Sequence, residues 1–200
     1  MIYLLRHGET EFNREGRIQG WLHSDLTDLG LRQAERMGDR LGALIQAPED
    51  WVVISSPQGR AVRTAEIVRQ RAGISAPLET VDGLKEVTLG SWEGSLYDDI
   101  EATFPEAFIG STRYDRFFRS PDGDTYDSLA ARVAEGLAAV QRHPTPNRII
   151  VSHGVAGRLI RGFYANLPKE QALKLEAPQT AFFRLHEGRI ERIACDGDEG

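Results

Sequence analysis

The sequence predicts an α/β protein: a three-layer α/β/α sandwich around a mostly parallel sheet, with an antiparallel hairpin at its C-terminal edge. Two observations predict it. Short apolar, β-branched runs alternate with helical stripes, a pattern that favours parallel strands joined by right-handed crossovers with helices on both faces. Near the end the pattern changes, and two strand-like runs flank Glu187-Gly188. The chain has 200 residues, 40% of them apolar and 27% charged, which suits an ordinary globular core and argues against extended disorder. No repeat, low-complexity tract or linker divides it, so residues 1–200 are read as one domain.

Residues 2 to 5 form a short apolar run suited to a buried strand. From 30 to 46, Leu31, Ala34, Met37, Leu41 and Leu44 recur at helical spacing, with Gly30 before them. Trp51 to Ile54 predicts a second strand, Ser55-Ser56-Pro57 a turn with Pro57 in a first helical turn, and Ala61, Ala65 and Val68 the helix that follows. Leu129, Val133, Leu137 and Val140 mark another helix, ended by Pro144 and Pro146 before a buried strand at Arg148 to Val151. A helix is expected from Val155 to Ala165. Phe182 to His186 and Arg189 to Ile193 make the closing hairpin.

The stretch from Gly94 to Gly123 breaks this alternation. It interleaves Tyr97, Phe104, Phe108, Tyr114, Phe117 and Phe118 with Arg113, Arg116 and Arg119. A lid-like insertion around 94–123 is one reading, because such segments carry specificity on a rigid scaffold; ordinary packing of aromatics is the other. In the first, one of the three arginines touches a second anionic group of the substrate.

Composition excludes several classes of function. A net charge of −6 leaves no broad basic surface for nucleic acid or anionic lipid. The apolar run at the N-terminus stops after Leu5, too short for a membrane span, and no long one follows. Cys195 is the only cysteine, so neither a disulfide framework nor a multi-cysteine metal site is expected, and a reducing cytoplasm fits.

Chemistry concentrates at three places, each after a predicted strand: Leu5-Arg6-His7-Gly8-Glu9-Thr10, then Arg60, then Ser152-His153-Gly154. In open α/β sheets ligands bind at the carboxyl ends of the strands, so distant residues converge there. Arg6, His7, Arg60 and His153 together make a compact positive pocket on an acidic protein, which suits a phosphate dianion.

These stretches resemble the histidine phosphatase superfamily, also called phosphoglycerate mutase-like proteins. The resemblance is carried by Leu5 to Thr10 with Asn13, Gly16 to Gly20 with Gln19, Ser55-Ser56-Pro57 with Arg60 and Thr64-Ala65, Leu84 to Gly94, and Val151 to Gly154. It implies a phosphohistidine mechanism, with His7 as nucleophile and Glu86 as proton donor to the leaving group. It places Arg6, Asn13, Gln19, Arg60, His153 and Gly154 around the phosphate, with Asn13 and Gln19 at the mouth. Cationic arginines keep a neighbouring imidazole neutral, and guanidinium forks take the charge-offsetting part that magnesium plays in other phosphotransferases, so neither metal nor cofactor is expected. Glu93 is the rival to Glu86.

The chain departs from the family pattern at Gln58-Gly59, where the glycine predicts a looser first turn and a less firmly placed Arg60. Pro121 to Thr125 resembles a family stretch but reads equally as a turn and helix cap. His23, His143 and His186 have no role in that pattern and no metal-like spacing. Gly90-Ser91-Trp92-Glu93-Gly94 and the short length resemble the phosphatase branch, so the expected activity is metal-independent hydrolysis of a small phosphorylated metabolite. A cofactor-dependent phosphoglycerate mutase, or a non-catalytic phospholigand sensor on the same fold, are the alternatives.

Overall fold

The computed structural model describes residues 1–195. Along the chain run β1 (Ile2–Arg6), α1 (Glu11–Glu15), α2 (Asp28–Leu44), β2 (Trp51–Ser55), α3 (Gly59–Arg71) and β3 (Glu79–Thr80). After them come α4 (Tyr97–Thr103), α5 (Tyr126–Gln141), β4 (Asn147–Ser152), α6 (Gly154–Tyr164), α7 (Lys169–Ala172), β5 (Ala181–His186) and β6 (Arg189–Ala194). The six strands form one sheet in the order β3-β2-β4-β1-β5-β6. Pairing is parallel from β3 through β1 and antiparallel for β5 and β6, as the sequence predicts.

Strand alternation sends side chains to two cores. Ile2, Leu4, Val52, Ile54 and Ile150 pack under α5 and α6 with Leu129, Val133 and Leu159. Tyr3, Leu5, Val53, Ile149 and Val151 pack under α2 and α3 with Met37, Leu41 and Val68. A sheet buried on both faces explains why these strands read as continuous apolar runs rather than as alternating ones. Edge β6 is mostly exposed and reads Arg-Ile-Glu-Arg-Ile-Ala, with the charges that discourage further strand pairing.

Several boundaries differ from expectation. Helix α2 begins at Asp28, where the Thr27 hydroxyl accepts the Gly30 N–H, so Gly30 lies inside the helix. It is glycine for a packing reason: a Cβ there would stand 2.0 Å from the Glu9 carbonyl oxygen, and one on Gly8 would stand 2.2 Å from the Gly30 oxygen. The loop after β1 thus rests on the first turn of α2. Pro57 sits outside α3, which starts at Gly59 after the cap residue Gln58. Pro121 to Thr125 is a turn and cap, with the Thr125 hydroxyl accepting from Ser128 N–H and Asp124 paired to Arg132.

The segment after Gly94 divides between the two readings of its aromatics. Trp92 stacks on Phe104 and Phe108, and Phe118 meets Tyr126 edge-on, so these rings pack with the core beside α5. Tyr97 and Phe117 reach the cleft described next. No helix among the described residues is long and apolar enough to cross a membrane.

Candidate active site

The carboxyl ends of β1, β4 and β2 meet at one point. His7 N–H donates to the Ser152 carbonyl at 3.0 Å and Ser56 N–H to the Val151 carbonyl at 2.9 Å, which ties the three loops together. A cleft of about 240 Å³ opens there, and its wall includes Arg6, His7, Asn13, Gln19, Arg60 and Glu86. Crevices at strand carboxyl ends are where open α/β sheets place ligands.

His7 is 3% exposed. Its Nδ1 lies 2.7 Å from the Gly8 carbonyl, which can only accept, so the proton sits on Nδ1 and the Nε2 lone pair faces Arg60, whose Nε–H donates to it at 3.3 Å. Burial first, then Arg60 and Arg6, hold the His7 pKa well below the ordinary 6.5. The ring is neutral at pH 7 with one nitrogen able to attack.

Arg60 is firmly held, against the expectation drawn from Gly59. It is 3% exposed, and it donates through Nη2 to Gly20 O at 2.7 Å and through Nη1 to Leu22 O at 3.2 Å. Glycine at position 59 leaves space for the His23 ring, which a Cβ there would meet at 3.2 Å. Burial, only partly offset by Glu86, lowers the Arg60 pKa to about 10, so the guanidinium stays charged at neutral pH. Arg6 donates through Nη1 to Ala177 O, while its buried Nε has no hydrogen-bond partner.

Glu86 projects its carboxylate onto the N-terminus of α6. Val155 N–H, Ala156 N–H and Val87 N–H all donate to it, at 3.0, 2.9 and 3.0 Å. It serves as a cap delivered from a distant loop, since the cap residue His153 makes no side-chain cap bond. Glu93 does otherwise: its Oε1 accepts from Trp21 N–H, Leu89 N–H and the Thr88 hydroxyl, bracing the loop beside the cleft. Of the two carboxylates, Glu86 is the one on the cleft wall.

The remaining predicted residues divide. Asn13 and Gln19 are on the cleft wall; the Gln19 Oε1 accepts from the Thr10 hydroxyl at 3.0 Å, and its buried Nε2 has no partner. His153, 1% exposed, stands behind His7 with ring centroids 5.1 Å apart and its Nε2 2.8 Å from the Ser56 hydroxyl. Gly154 opens α6, and a Cβ on it would come 3.5 Å from Glu86 and 3.8 Å from Arg6. Among the three arginines of the insertion, Arg119 pairs with Asp115, Arg113 lies over Tyr114, and Arg116 lies over Tyr97 at 3.7 Å. His23 and His143 have carboxylate partners in Asp25 and Glu79.

Sequence reasoning missed Gln58 and Gln179. The Gln58 amide donates to Gly20 O at 3.0 Å and accepts from Glu86 N–H at 2.8 Å, joining the loop that Arg60 holds to the residue that lines the other wall. Gln179 donates to His7 O and Asn13 Oδ1, both at 3.1 Å. Among the described residues no three His, Cys, Asp or Glu side chains converge as a metal site.

A three-layer α/β fold with a neutral histidine, two guanidinium groups and a carboxylate at the strand ends fits an enzyme that transfers phosphoryl groups. The profile of the histidine phosphatase superfamily (branch 1) matches residues 2–192, and the chain belongs to that superfamily. It is 36% identical over 159 residues to a Salmonella arizonae protein named "Probable phosphoglycerate mutase GpmB", covering 78% of this chain and 70% of that one. Among solved structures it is similar to Bacillus stearothermophilus YhfR, with 31% identity, a TM-score of 0.79 and coverage of 100% and 97%. The alpha-ribazole phosphatase of Shigella flexneri shares the fold at 23% identity and a TM-score of 0.78, covering 100% of this chain and 99% of that one. The protein is a phosphotransfer enzyme.

Proposed function

We propose that this enzyme is a metal-independent phosphomonoesterase acting on small phosphorylated metabolites through a phosphohistidine on His7. The observation that carries the reading is the neutral His7, with Nδ1 fixed on Gly8 O and Nε2 turned toward Arg60 in a cleft shared with Glu86. In the first step Nε2 forms a bond to phosphorus as the ester P–O bond breaks, and protonated Glu86 gives its proton to the departing alkoxide. In the second, water attacks phosphorus, the P–N bond breaks, and Glu86 takes the water proton.

In this reading Arg6, Arg60 and the Gln19 amide hold the phosphoryl oxygens, and His153, which stands behind His7 and off the cleft wall, backs that ring. Arg6 Nε and Gln19 Nε2 are buried donors in want of an acceptor, and guanidinium groups offset the charge that spreads in the transition state. Water is favoured as the acceptor because Gly90-Ser91-Trp92-Glu93-Gly94, after Glu86, resembles the phosphatase branch of the superfamily. The similarity to proteins named as mutases favours a second reading, in which a substrate hydroxyl replaces that water.

Inorganic phosphate release is the test, with chelator present, across phosphoglycerates, phosphoserine, sugar phosphates, alpha-ribazole phosphate and p-nitrophenyl phosphate. Chelator-resistant turnover that His7→Ala abolishes is expected. Phosphoglycerate isomerisation without phosphate release would establish the mutase. Phosphate binding without either activity would make the protein a sensor.

A further inference from the structure

Beside the cleft lies a second, more open pocket of about 440 Å³, and Phe117 belongs to both walls. Arg113, Arg116, Arg158 and Lys174 contribute to its lining. The carboxylate on that wall is Glu176, whose Oε1 already pairs with Arg192 at 3.2 Å. On a chain of net charge −6 this is a local positive excess.

The four cations are not equivalent. Arg113 and Arg116 lie over Tyr114 and Tyr97. Arg158, partly buried on α6, forms no ion pair with a carboxylate among the described residues, and its Nε is buried without a hydrogen-bond partner. A half-buried guanidinium in that state calls for an anion. Position says where the anion lies. Val155 is on the cleft wall, and Arg158 is three residues on, so the two are neighbours on one helix face about 5–6 Å apart. Glu86, on the cleft wall, is the carboxylate whose charge favours the Arg158 guanidinium, so Arg158 faces the cleft side of the pocket without an ion pair of its own.

We propose that Arg158 and Lys174, with Arg116 on the same wall, form a second anion subsite, and that the substrate is a compact phosphomonoester with another anionic group, a carboxylate or second phosphate, a few bonds from the ester oxygen. This rests on the cleft at His7 being the phosphoryl site. The subsite draws on α6 and on the chain after α7, so it is built largely outside the segment 94–123 where specificity was expected from sequence.

The test uses three non-hydrolysable anions in titration calorimetry: methylphosphonate, 3-phosphonopropionate and 1,3-propanebisphosphonate. Wild type is expected to bind at least one of the two longer anions about tenfold or more tightly than methylphosphonate, as a charge-assisted hydrogen bond predicts. Whichever gains more identifies the second group. Arg158→Gln and Lys174→Met should each remove most of the advantage, whereas the exposed Arg63→Gln should keep it. Equal affinity for all three anions, or an advantage that survives both substitutions, overturns the subsite. Failure of the phosphoryl reading shows differently, as loss of methylphosphonate binding together with absent turnover.

Discussion

His7 and His153 stand at 3% and 1% exposure beside two arginines, and burial followed by Arg60 holds both far below the ordinary imidazole value. In the unfolded chain both rings take up protons below pH 6.5; in the folded one they stay neutral to a lower pH. The unfolded state therefore binds more protons from 6.5 down to the depressed folded values, and stability falls as pH falls through that window. Each ring adds a slope of about 1.4 kcal/mol per pH unit there. Urea unfolding of His153→Asn between pH 6 and 5 should show a slope shallower by about that amount, and an unchanged slope would mean that the folded ring is already protonated. At Glu86 the prediction concerns leaving groups. Glu86→Gln should slow an alkyl phosphate by about 10²- to 10⁴-fold and p-nitrophenyl phosphate far less, since a nitrophenolate departs without a proton. Equal losses on both esters would assign Glu86 to positioning alone. Gln58 joins Gly20 to Glu86 through backbone groups, so nothing in its own sequence neighbourhood announces it.

Helix α5 and the turn before Glu86 touch through two glycines. A Cβ on Gly136 would stand 2.8 Å from the Gly83 backbone, and backbone cannot step aside as a flexible side chain can. Arg132, one turn earlier on α5, donates to the carbonyls of Lys85 and Glu86 at 2.8 and 3.1 Å, so this contact sets the height of the loop that carries Glu86. Gly136→Val is expected to lower stability by about 1–3 kcal/mol in denaturant melts and to reduce kcat more than it changes KM, because it lifts Glu86. A melt unchanged from wild type would show that the helix shifts freely. Such contacts also explain what was legible in the sequence. Strands and helices were, because their periodicities are local. Helix starts were less so: Gly30 reads as a breaker until the Glu9 carbonyl against it is known, and Pro57 reads as a first-turn residue although Gln58 is the cap. The site residues stood out by type and by position after strands. Their partners did not, because Glu86 on the α6 amides and Arg60 on the Gly20 loop are contacts between segments far apart in the chain.

Across the whole molecule, the sheet order puts the two crossovers on opposite sides of the site. From β1 the chain passes over β4 to reach β2, with α2 and α3 on one face; after β4 it crosses β1 to reach β5, with α6 on the other. The crevice lies where those directions diverge, and His7 sits in it at the end of the central strand. The same topology has a consequence for biosynthesis. β1 is the earliest strand in chain order, yet Ile2 faces Arg148 on one side and Leu185 on the other. A nascent chain therefore carries the strand that leads to His7 with neither neighbour yet synthesised until β4 and then β5 are made, and the centre of the sheet closes only then. Ribosome-bound chains stalled before β4 should stay protease-sensitive and fail to release phosphate, while chains stalled with β5 fully outside the exit tunnel should gain both resistance and activity together. The enzyme is thereby kept silent until β5 has joined β1.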